Sequence, residues 1–263
     1  MTSNRYRPST FVSASAVLHV LALGSIAFKP GIWQFAVGAM VADHSALLLG
    51  GLFPRCRILG PNMTRLPAQK NGPRTVALTF DDGPHPELTP RVLDVLDEHG
   101  ARASFFCVGQ LVEKHQSLVR EMAERGHRVE NHTWSHPNYF AFLLPAGLTN
   151  QINRTQSIID RVTGRTPAYF RAPAGIRSPW LAPVLHRLQL RLVSWTRRGF
   201  DTVENDPDRI VRRLIKDLAP ADILLLHDGG KIDADHRSAA LLDVLPRVLV
   251  EIKRKGLNTV PLP

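Results

Sequence analysis

Two clusters of polar residues in the sequence have the types and spacing of a hydrolytic metal site. The adjacent carboxylates Asp81 and Asp82 follow the apolar residues 75–80, and His132 and His136 lie four residues apart. Two carboxylates in one low-dielectric cavity repel each other, and a divalent cation bound to one of them leaves the other free to act as a base. One carboxylate and two imidazoles give three protein ligands with open positions, which is typical of a catalytic metal site.

Three further clusters, around Arg171, Asp201 and His227, also follow apolar segments. Arg171 begins Arg171-Ala-Pro-Ala-Gly175, Asp201 follows the segment that ends near Trp195, and His227 lies in Leu225-Leu-His-Asp228. Taken singly, each cluster has an ordinary explanation, such as a turn, a helix cap or a surface histidine pair. Five such clusters in order, each at the end of a predicted strand, are hard to obtain by chance, and together they indicate one site.

The elements that must position these residues begin after residue 73. Strands are predicted at 75–80, 103–108, 127–131, 168–171, 190–195 and 222–227. Helices are predicted from Thr89 (as N-cap, with Pro90 in the first turn) and at 110–125, 149–163, 179–188, 207–218 and 238–255. This alternation is typical of parallel β/α units and predicts an α/β fold, a distorted (β/α)7-type barrel. In such barrels the chemistry lies where the strands end.

The N-terminal part is of a different kind. Residues 11–28 and 32–53 are apolar and close to the roughly 20 residues that cross a bilayer. The break at Lys29-Pro30-Gly31 predicts a helical hairpin. Asp43 would cost about 2.5–3.5 kcal/mol at mid-membrane, which a partner such as His44 would reduce. Two alternatives remain open, a cleaved secretory signal and an apolar hairpin that packs on the globular domain.

The distribution of charge predicts the location of the protein. Arginines flank the hairpin on both sides, and only Lys29 lies within its loop, so both ends and the catalytic domain are expected on the cytoplasmic side of the inner cell membrane. If one segment alone spans the membrane, the domain lies on the other side. We expect an anchoring hairpin at 1–54, a linker at 55–73 and a catalytic domain at 74–263.

The formal net charge of +10 and a pI near 10.3 favour an anionic partner. The basic residues are scattered and form no nucleic-acid-binding motif, so no nucleic-acid partner is expected. A membrane surface or a phosphate-bearing substrate fits better, and Arg197 and Arg198 are candidates to contact such a phosphate. A basic surface that is simply solvated is the alternative.

The motifs Thr79-Phe-Asp-Asp-Gly-Pro84 and His132-Thr-Trp-Ser-His136 closely resemble those of the polysaccharide deacetylases, carbohydrate esterase family 4, which share the NodB homology domain. The resemblance covers about residues 74–262. It implies a hydrolase of linear amides that removes the N-acetyl (N-acyl) group of an amino sugar in a polysaccharide or lipid-linked glycan. It also implies a divalent metal ion, most commonly Zn²⁺, although other divalent metals are used.

The resemblance also implies a role for each matching residue. Asp81 would be the general base, oriented by Arg171, and His227 the general acid, tuned by Asp201. The metal ligands would be Asp82, His132 and His136. Residues expected to contact the substrate are Leu225, which would help form the acyl pocket, and Pro173, Ala174 and Trp195.

Two departures from the family pattern bear on the substrate and on Asp201. Ala174 stands where the family often has an aromatic residue that contacts the sugar, which argues against a polymer substrate, and residues 194–202 lack the usual Asp-Trp cluster, on which the assignment of Asp201 depends. A small lipid-linked substrate is favoured because the membrane hairpin and the basic face would bring the enzyme to anionic lipid carriers. One alternative function is a non-catalytic, membrane-tethered carbohydrate-binding protein, against which the retained base, ligands and acid argue. Another is an esterase or deformylase on the same scaffold.

Overall fold

A computed structural model describes residues 6–67, 73–229 and 236–263 of the chain. Arg5 and part of the predicted linker lie outside these ranges. The described helices are α1 Thr10–Phe28, α2 Trp33–Leu52, α3 Leu88–Glu98, α4 Gly109–Lys114, α5 Gln116–Glu124, α6 Pro145–Thr163, α7 Leu181–Arg187, α8 Pro207–Ile215 and α9 His236–Arg254. The described strands are β1 Thr75–Asp81, β2 Ser104–Cys107, β3 Arg128–Asn131, β4 Tyr169–Phe170, β5 Arg191–Leu192, β6 Arg197–Arg198, β7 Ile223–His227 and β8 Asn258–Val260.

The strands form one parallel sheet in the order β5-β4-β3-β2-β1-β7-β6, and β8 pairs with the first half of β1. The sheet curls into a partial barrel with the helices outside it, so the predicted (β/α)7-type barrel is confirmed. Because every named pairing is parallel, the carboxyl ends of the strands meet at one edge of the sheet.

Strand β1 is buried on both faces, as expected for a central parallel strand. Val76, Leu78 and Phe80 belong to the cluster that packs against the helices, and the ring of Phe80 stacks on that of Phe105 at 4.9 Å. Ala77 points to the other face, where an apolar cluster fills the barrel interior. Since side chains alternate along a strand, Thr79 and Asp81 follow Ala77 on the interior face. The strand thus aims Asp81 into the barrel.

Several predicted elements differ in detail from the observed ones. The predicted helix at 110–125 is two helices, α4 and α5, which are separated at His115. Thr89 lies inside α3 and does not cap it; its hydroxyl accepts a hydrogen bond from the backbone N–H of His85 and donates to the carboxylate of Asp228. Strands β6 and β8 were not predicted, because they are short and only partly buried, so the sequence shows no apolar run there.

The two N-terminal helices form the expected hairpin, with a 3₁₀ turn at Pro30–Ile32. By length and composition, both are apolar enough to cross a membrane. Asp43 finds its partners on α1 and not in the adjacent His44. It accepts a hydrogen bond of 2.7 Å from the hydroxyl of Ser15, and its Oδ2 lies 3.8 Å from Nδ1 of His19. The Asp43 side chain therefore joins the two helices.

Candidate active site

Asp82, His132 and His136 converge at the carboxyl edge of the sheet, as predicted for a metal site. Oδ1 of Asp82 lies 3.2 Å from Nε2 of His132 and 3.2 Å from Nε2 of His136. One ligand atom from each of the three residues lies within 4.8 Å of the other two. In a tetrahedral zinc site with metal–ligand bonds near 2.1 Å, ligand atoms are about 3.4 Å apart. The spacing of the three side chains therefore fits a divalent cation.

Unusual backbone conformations aim the ligands at one point. Asp82 and His136 have positive φ angles of 72° and 47°, which non-glycine residues rarely adopt. The loop that carries the histidines is fixed by side chains: Thr133 Oγ1 accepts a bond from the N–H of His136, and Asn131 Oδ1 accepts one from the N–H of Thr133. The chain holds strained conformations here because the surrounding hydrogen bonds determine them.

His132 is oriented for ligation by a second contact. Its Nδ1 lies 2.9 Å from the carbonyl oxygen of Arg171, so Nδ1–H donates to that carbonyl and the other ring nitrogen, Nε2, faces Asp82. Burial acts to raise the pKa of Asp82, but the hydrogen bond and charge of His132, with the charges of His227 and His136, outweigh it and hold the pKa well below its usual range. Asp82 therefore stays ionised, as a metal ligand must.

Asp81 is held apart from this set by Arg171. Nη1 of the fully buried arginine lies 2.6 Å from Oδ1 of Asp81 and donates a 2.9 Å hydrogen bond to Oγ1 of Thr79. The other oxygen of Asp81, Oδ2, lies 4.0 Å from Nε2 of His132. One oxygen of Asp81 is thus committed to the arginine, while the other faces the ligand cluster.

His227 and Asp201, the predicted acid and its partner, form a second hydrogen-bonded pair. Asp201 accepts two hydrogen bonds from His227, 2.9 Å from Nδ1 to Oδ1 and 2.7 Å from the backbone N–H to Oδ2. Burial acts to lower the pKa of His227, but the charge and hydrogen bond of Asp201 outweigh it, so the pKa is raised. Asp81 and His227 are register partners on the neighbouring strands β1 and β7. The structure thus brings the residues predicted to be base, acid and metal ligands to one place.

The four residues expected to contact substrate lie in two environments. Leu225 and Trp195 belong to the apolar cluster inside the barrel, and Leu225 is the register partner of Thr79, two residues before Asp81. Pro173 is buried, whereas Ala174 is exposed with a φ of 52°. The loop after β4 therefore exposes a methyl group where the family pattern often has a ring.

Arg197 and Arg198, the candidates to contact a phosphate, lie in different environments. Arg197 is paired with the buried carboxylate of Asp222, 2.8 Å from Nε to Oδ2. The guanidinium of Arg198 lies over the rings of Trp195 and Phe200 at 5.5 Å and 5.0 Å from their centroids. Strand β6 fixes the direction of both side chains. Arg197 therefore stabilises the fold through its ion pair, and Arg198 packs on aromatic rings.

Sequence reasoning gave no role to Asp228, which packs under the turn that carries the two aspartates. Its carboxylate accepts a 2.6 Å hydrogen bond from Thr89, and its N–H donates to the carbonyl of Asp81. A Cβ on Gly83 would lie 2.4 Å from Oδ2 of Asp228, so only glycine fits there. Burial raises the pKa of Asp228 to about 7. The signal for it was an acid directly after His227 at a strand end.

Comparisons with known proteins identify the family of the chain. The polysaccharide deacetylase family model matches residues 68–193. A chitooligosaccharide deacetylase from Azorhizobium caulinodans is 33% identical over 196 residues, which cover 72% of this chain and 93% of that protein. A peptidoglycan-N-acetylglucosamine deacetylase from Bacillus cereus is 33% identical over 190 residues, which cover 72% of this chain and 66% of that protein.

Among solved structures, the Bc1960 peptidoglycan N-acetylglucosamine deacetylase is 31% identical and superimposes with a TM-score of 0.69, covering 77% of this chain and 91% of that one. The similarity thus covers about three quarters of the chain, in sequence and in fold. The chain belongs to the polysaccharide deacetylase family, the carbohydrate deacetylases of carbohydrate esterase family 4.

Proposed function

We propose that this chain is a divalent-metal-dependent deacetylase that removes the N-acetyl group from an amino sugar linked to a membrane lipid. The observation that carries the proposal is that two adjacent aspartates have different partners. Asp82 lies 3.2 Å from both histidines, while Asp81 is held by Arg171 with one oxygen free. This is the arrangement in which one carboxylate binds a cation and the other accepts a proton.

Asp82, His132 and His136 would hold the cation, which we take to be Zn²⁺ because one carboxylate and two imidazoles suit it. The contact of His132 with the carbonyl of Arg171 is the kind of outer contact that orients a ligating imidazole. When bound, the cation supplies Lewis acidity toward water and toward the acyl carbonyl.

The residues of the chain carry the proton transfers. Asp81 accepts a proton from the attacking water as the new C–O bond forms, and Arg171 fixes the direction of its free oxygen. His227 donates a proton to the sugar nitrogen as the C–N bond breaks, and Asp201 holds its Nδ1–H so that Nε2 faces the substrate. General acid–base catalysis of this kind contributes roughly 10²- to 10⁴-fold for each group. The products are acetate and a free amine.

The membrane-related parts of the proposal rest on the N-terminal hairpin. Two helices of membrane-spanning length precede the barrel, and Ala174 leaves the site without one ring that would stack on a polymer. We place the anchor at residues 1–54, the linker at 55–73 and the catalytic domain at 74–263. We also place the protein in the inner cell membrane, with its site on the cytoplasmic side.

The test uses the purified full-length chain with Zn²⁺ in lipid nanodiscs. Its substrates are N-acetylglucosamine linked to a polyprenyl phosphate, soluble chitooligosaccharides and an O-acetylated sugar, and acetate and free amine are measured together. We expect equal amounts of acetate and amine, and a higher kcat/KM for the lipid-linked sugar. Release no greater than that of Asp81→Asn from every substrate would contradict the proposal, and acetate without amine would indicate an esterase.

A further inference from the structure

Large apolar side chains are exposed on one face of the barrel. Apart from α1, α2 and Phe53 directly after them, only Val250 among the exposed large apolar residues of the described ranges lies away from this face. The others lie in the loops that follow β3, β4 and β6, the same loops that carry His136, Arg171 and Asp201. We name them the apolar rim: Tyr139, Phe142, Leu144, Trp180, Phe200 and Val203.

Core packing does not explain the exposure of the rim. Phe140 is buried and Leu143 packs with it in the cluster that also contains Leu181, whereas Phe142 and Leu144 in the same segment are 83% and 69% exposed. Leu181 follows Trp180 directly, so the 139–144 segment and Trp180 share one supporting cluster. Several large apolar side chains exposed in loops at the same edge of the sheet are typical of a contact surface.

The end of the hairpin is attached next to this surface. The N–H of Arg177 donates to the carbonyl of Gly51 at 3.1 Å, and its Nη2 donates to the carbonyls of Gly50 and Cys56 at 3.2 Å and 2.9 Å. A Cβ on Gly51 would lie 2.2 Å from the carbonyl oxygen of Arg177, so helix and loop are in close contact. Trp180 is three residues beyond Arg177, so the rim includes a residue close to the point where the hairpin is attached.

A second contact fixes the angle between hairpin and barrel. The hydroxyl of Ser194 donates to the carbonyl of Pro54 at 2.6 Å, and a Cβ on Gly175 would lie 2.8 Å from both the ring of Pro54 and the ring of Trp195. The residues directly after α2 therefore pack against the loop after β4. A membrane that holds the hairpin also holds this face of the barrel.

The surface beside the start of α1 is basic. A groove of about 1,610 Å³ is lined by Arg7, Arg57, Arg187 and Arg191, and the lining residues include no Asp or Glu. Such a surface attracts the acidic headgroups of a bilayer. The charge around the hairpin thus fits a lipid surface next to the barrel.

From these observations we propose that the apolar rim inserts into the headgroup region of the bilayer, so that the catalytic site opens onto the lipid surface. Aromatic side chains with one polar end, such as Tyr139 and Trp180, are the residues that favour this region. The inference rests on the proposed function in one respect: it states how a lipid-linked amino sugar would reach Asp81 and His227. The partner that contacts the rim is the lipid bilayer itself.

The direct test measures the depth of the rim in the full-length chain. In a Cys56→Ser background, Phe142→Cys and the matched control Val250→Cys are each labelled with an environment-sensitive fluorophore. The proteins are placed in vesicles of phosphatidylcholine and phosphatidylglycerol that contain spin-labelled lipid. We expect at least threefold stronger quenching at position 142 than at 250. Equal, weak quenching at both positions would overturn the proposal, and this readout does not depend on activity.

The second test separates a membrane contact from a platform for glycan stacking. The triple variant Phe142→Ser, Leu144→Ser and Trp180→Ser is compared with Val250→Ser on lipid-linked and soluble substrates. We expect a tenfold or greater loss of kcat/KM for the lipid-linked sugar and no change for the soluble oligosaccharide. An equal loss on both substrates would assign the rim to glycan binding and overturn the proposal. A wild type that is inactive on both substrates would contradict the proposed function. The quenching result would still show whether the rim inserts into the bilayer.

Discussion

Arg171 and Asp81 form a buried ion pair between two strands that are not neighbours. Nη1 of Arg171, directly after β4, lies 2.6 Å from Oδ1 of Asp81 at the end of β1, and β3 and β2 lie between these strands. In a flat sheet, three spacings of about 4.8 Å would separate them by roughly 14 Å. The contact therefore depends on the curl of the sheet, and it couples the orientation of the base to the barrel.

Replacing Arg171 with Met should lower both stability and activity. The change leaves Asp81 buried without its partner, and breaking a buried pair in this way costs about 3–5 kcal/mol. Urea unfolding of the two proteins measures the difference. The control is Arg91→Met on the exposed face of α3, for which we expect a change within about 0.5 kcal/mol. Equal stability of the two variants would show that the pair is not needed.

Replacing Asp201 with Asn should shift the pH profile of kcat/KM. His227 must be protonated to donate, so activity falls as pH rises through its pKa, which Asp201 raises. Removing the charge lowers that pKa, and the alkaline limb should move to lower pH. Asp94→Asn, on the exposed face of α3, serves as the control and should leave the limb in place. If the alkaline limb of the kcat/KM profile does not move in Asp201→Asn, the group that titrates in this limb is not His227.

Gly83→Ala should damage the site without removing any functional group. The added Cβ would lie 2.4 Å from the buried carboxylate of Asp228, so the turn that carries Asp82 must move. We expect a loss of about 1–3 kcal/mol in stability, typical of overpacking, together with lower kcat. Gly24→Ala in α1, where the new Cβ meets nothing within 4 Å, is the matched control. Thermal unfolding and acetate release at saturating substrate are the measurements, and wild-type values for Gly83→Ala would refute the packing argument.

Because of His127, the free energy of unfolding should decrease as the pH falls below neutral. Burial lowers its pKa to about 4, from 6.5 when exposed. The unfolded chain then binds more protons than the folded one between these values, so this contribution is complete above pH 6.5 and is lost as pH falls toward 4. His127→Gln should reduce that slope in urea unfolding at several pH values. His99→Gln, at the exposed end of α3, should retain the full slope, and a full slope in both would contradict the assignment.

Much of the site was predictable because parallel strands place their carboxyl ends at one edge of the sheet. The order of the clusters around Asp81, His132, Arg171 and His227 along the chain was enough to predict that they meet. The roles of these residues stay predictions until they are tested.

Contacts between distant side chains and backbone were not predictable, because no local pattern records them. The hydrogen bonds from Arg177 to carbonyl groups at the end of α2 and just after it join residues more than 120 positions apart. Thr89 looked like a helix cap because its type and position before Pro90 fit one. In the fold its hydroxyl serves Asp228 instead, a partner 139 positions away. The preference of threonine for helix caps is outweighed here, because the buried carboxylate of Asp228 needs a hydrogen-bond donor.

The most direct test of the account is the metal stoichiometry of the metal-free protein titrated with Zn²⁺, read by calorimetry and elemental analysis. His132→Ala/His136→Ala should bind one equivalent fewer than the wild type, whereas the control His99→Ala should bind the same number. Asp81→Asn should also bind as much as the wild type and yet release no acetate. If the double histidine variant retains every equivalent, or if Asp81→Asn loses one, the assignment of one aspartate to the cation and the other to the proton is wrong.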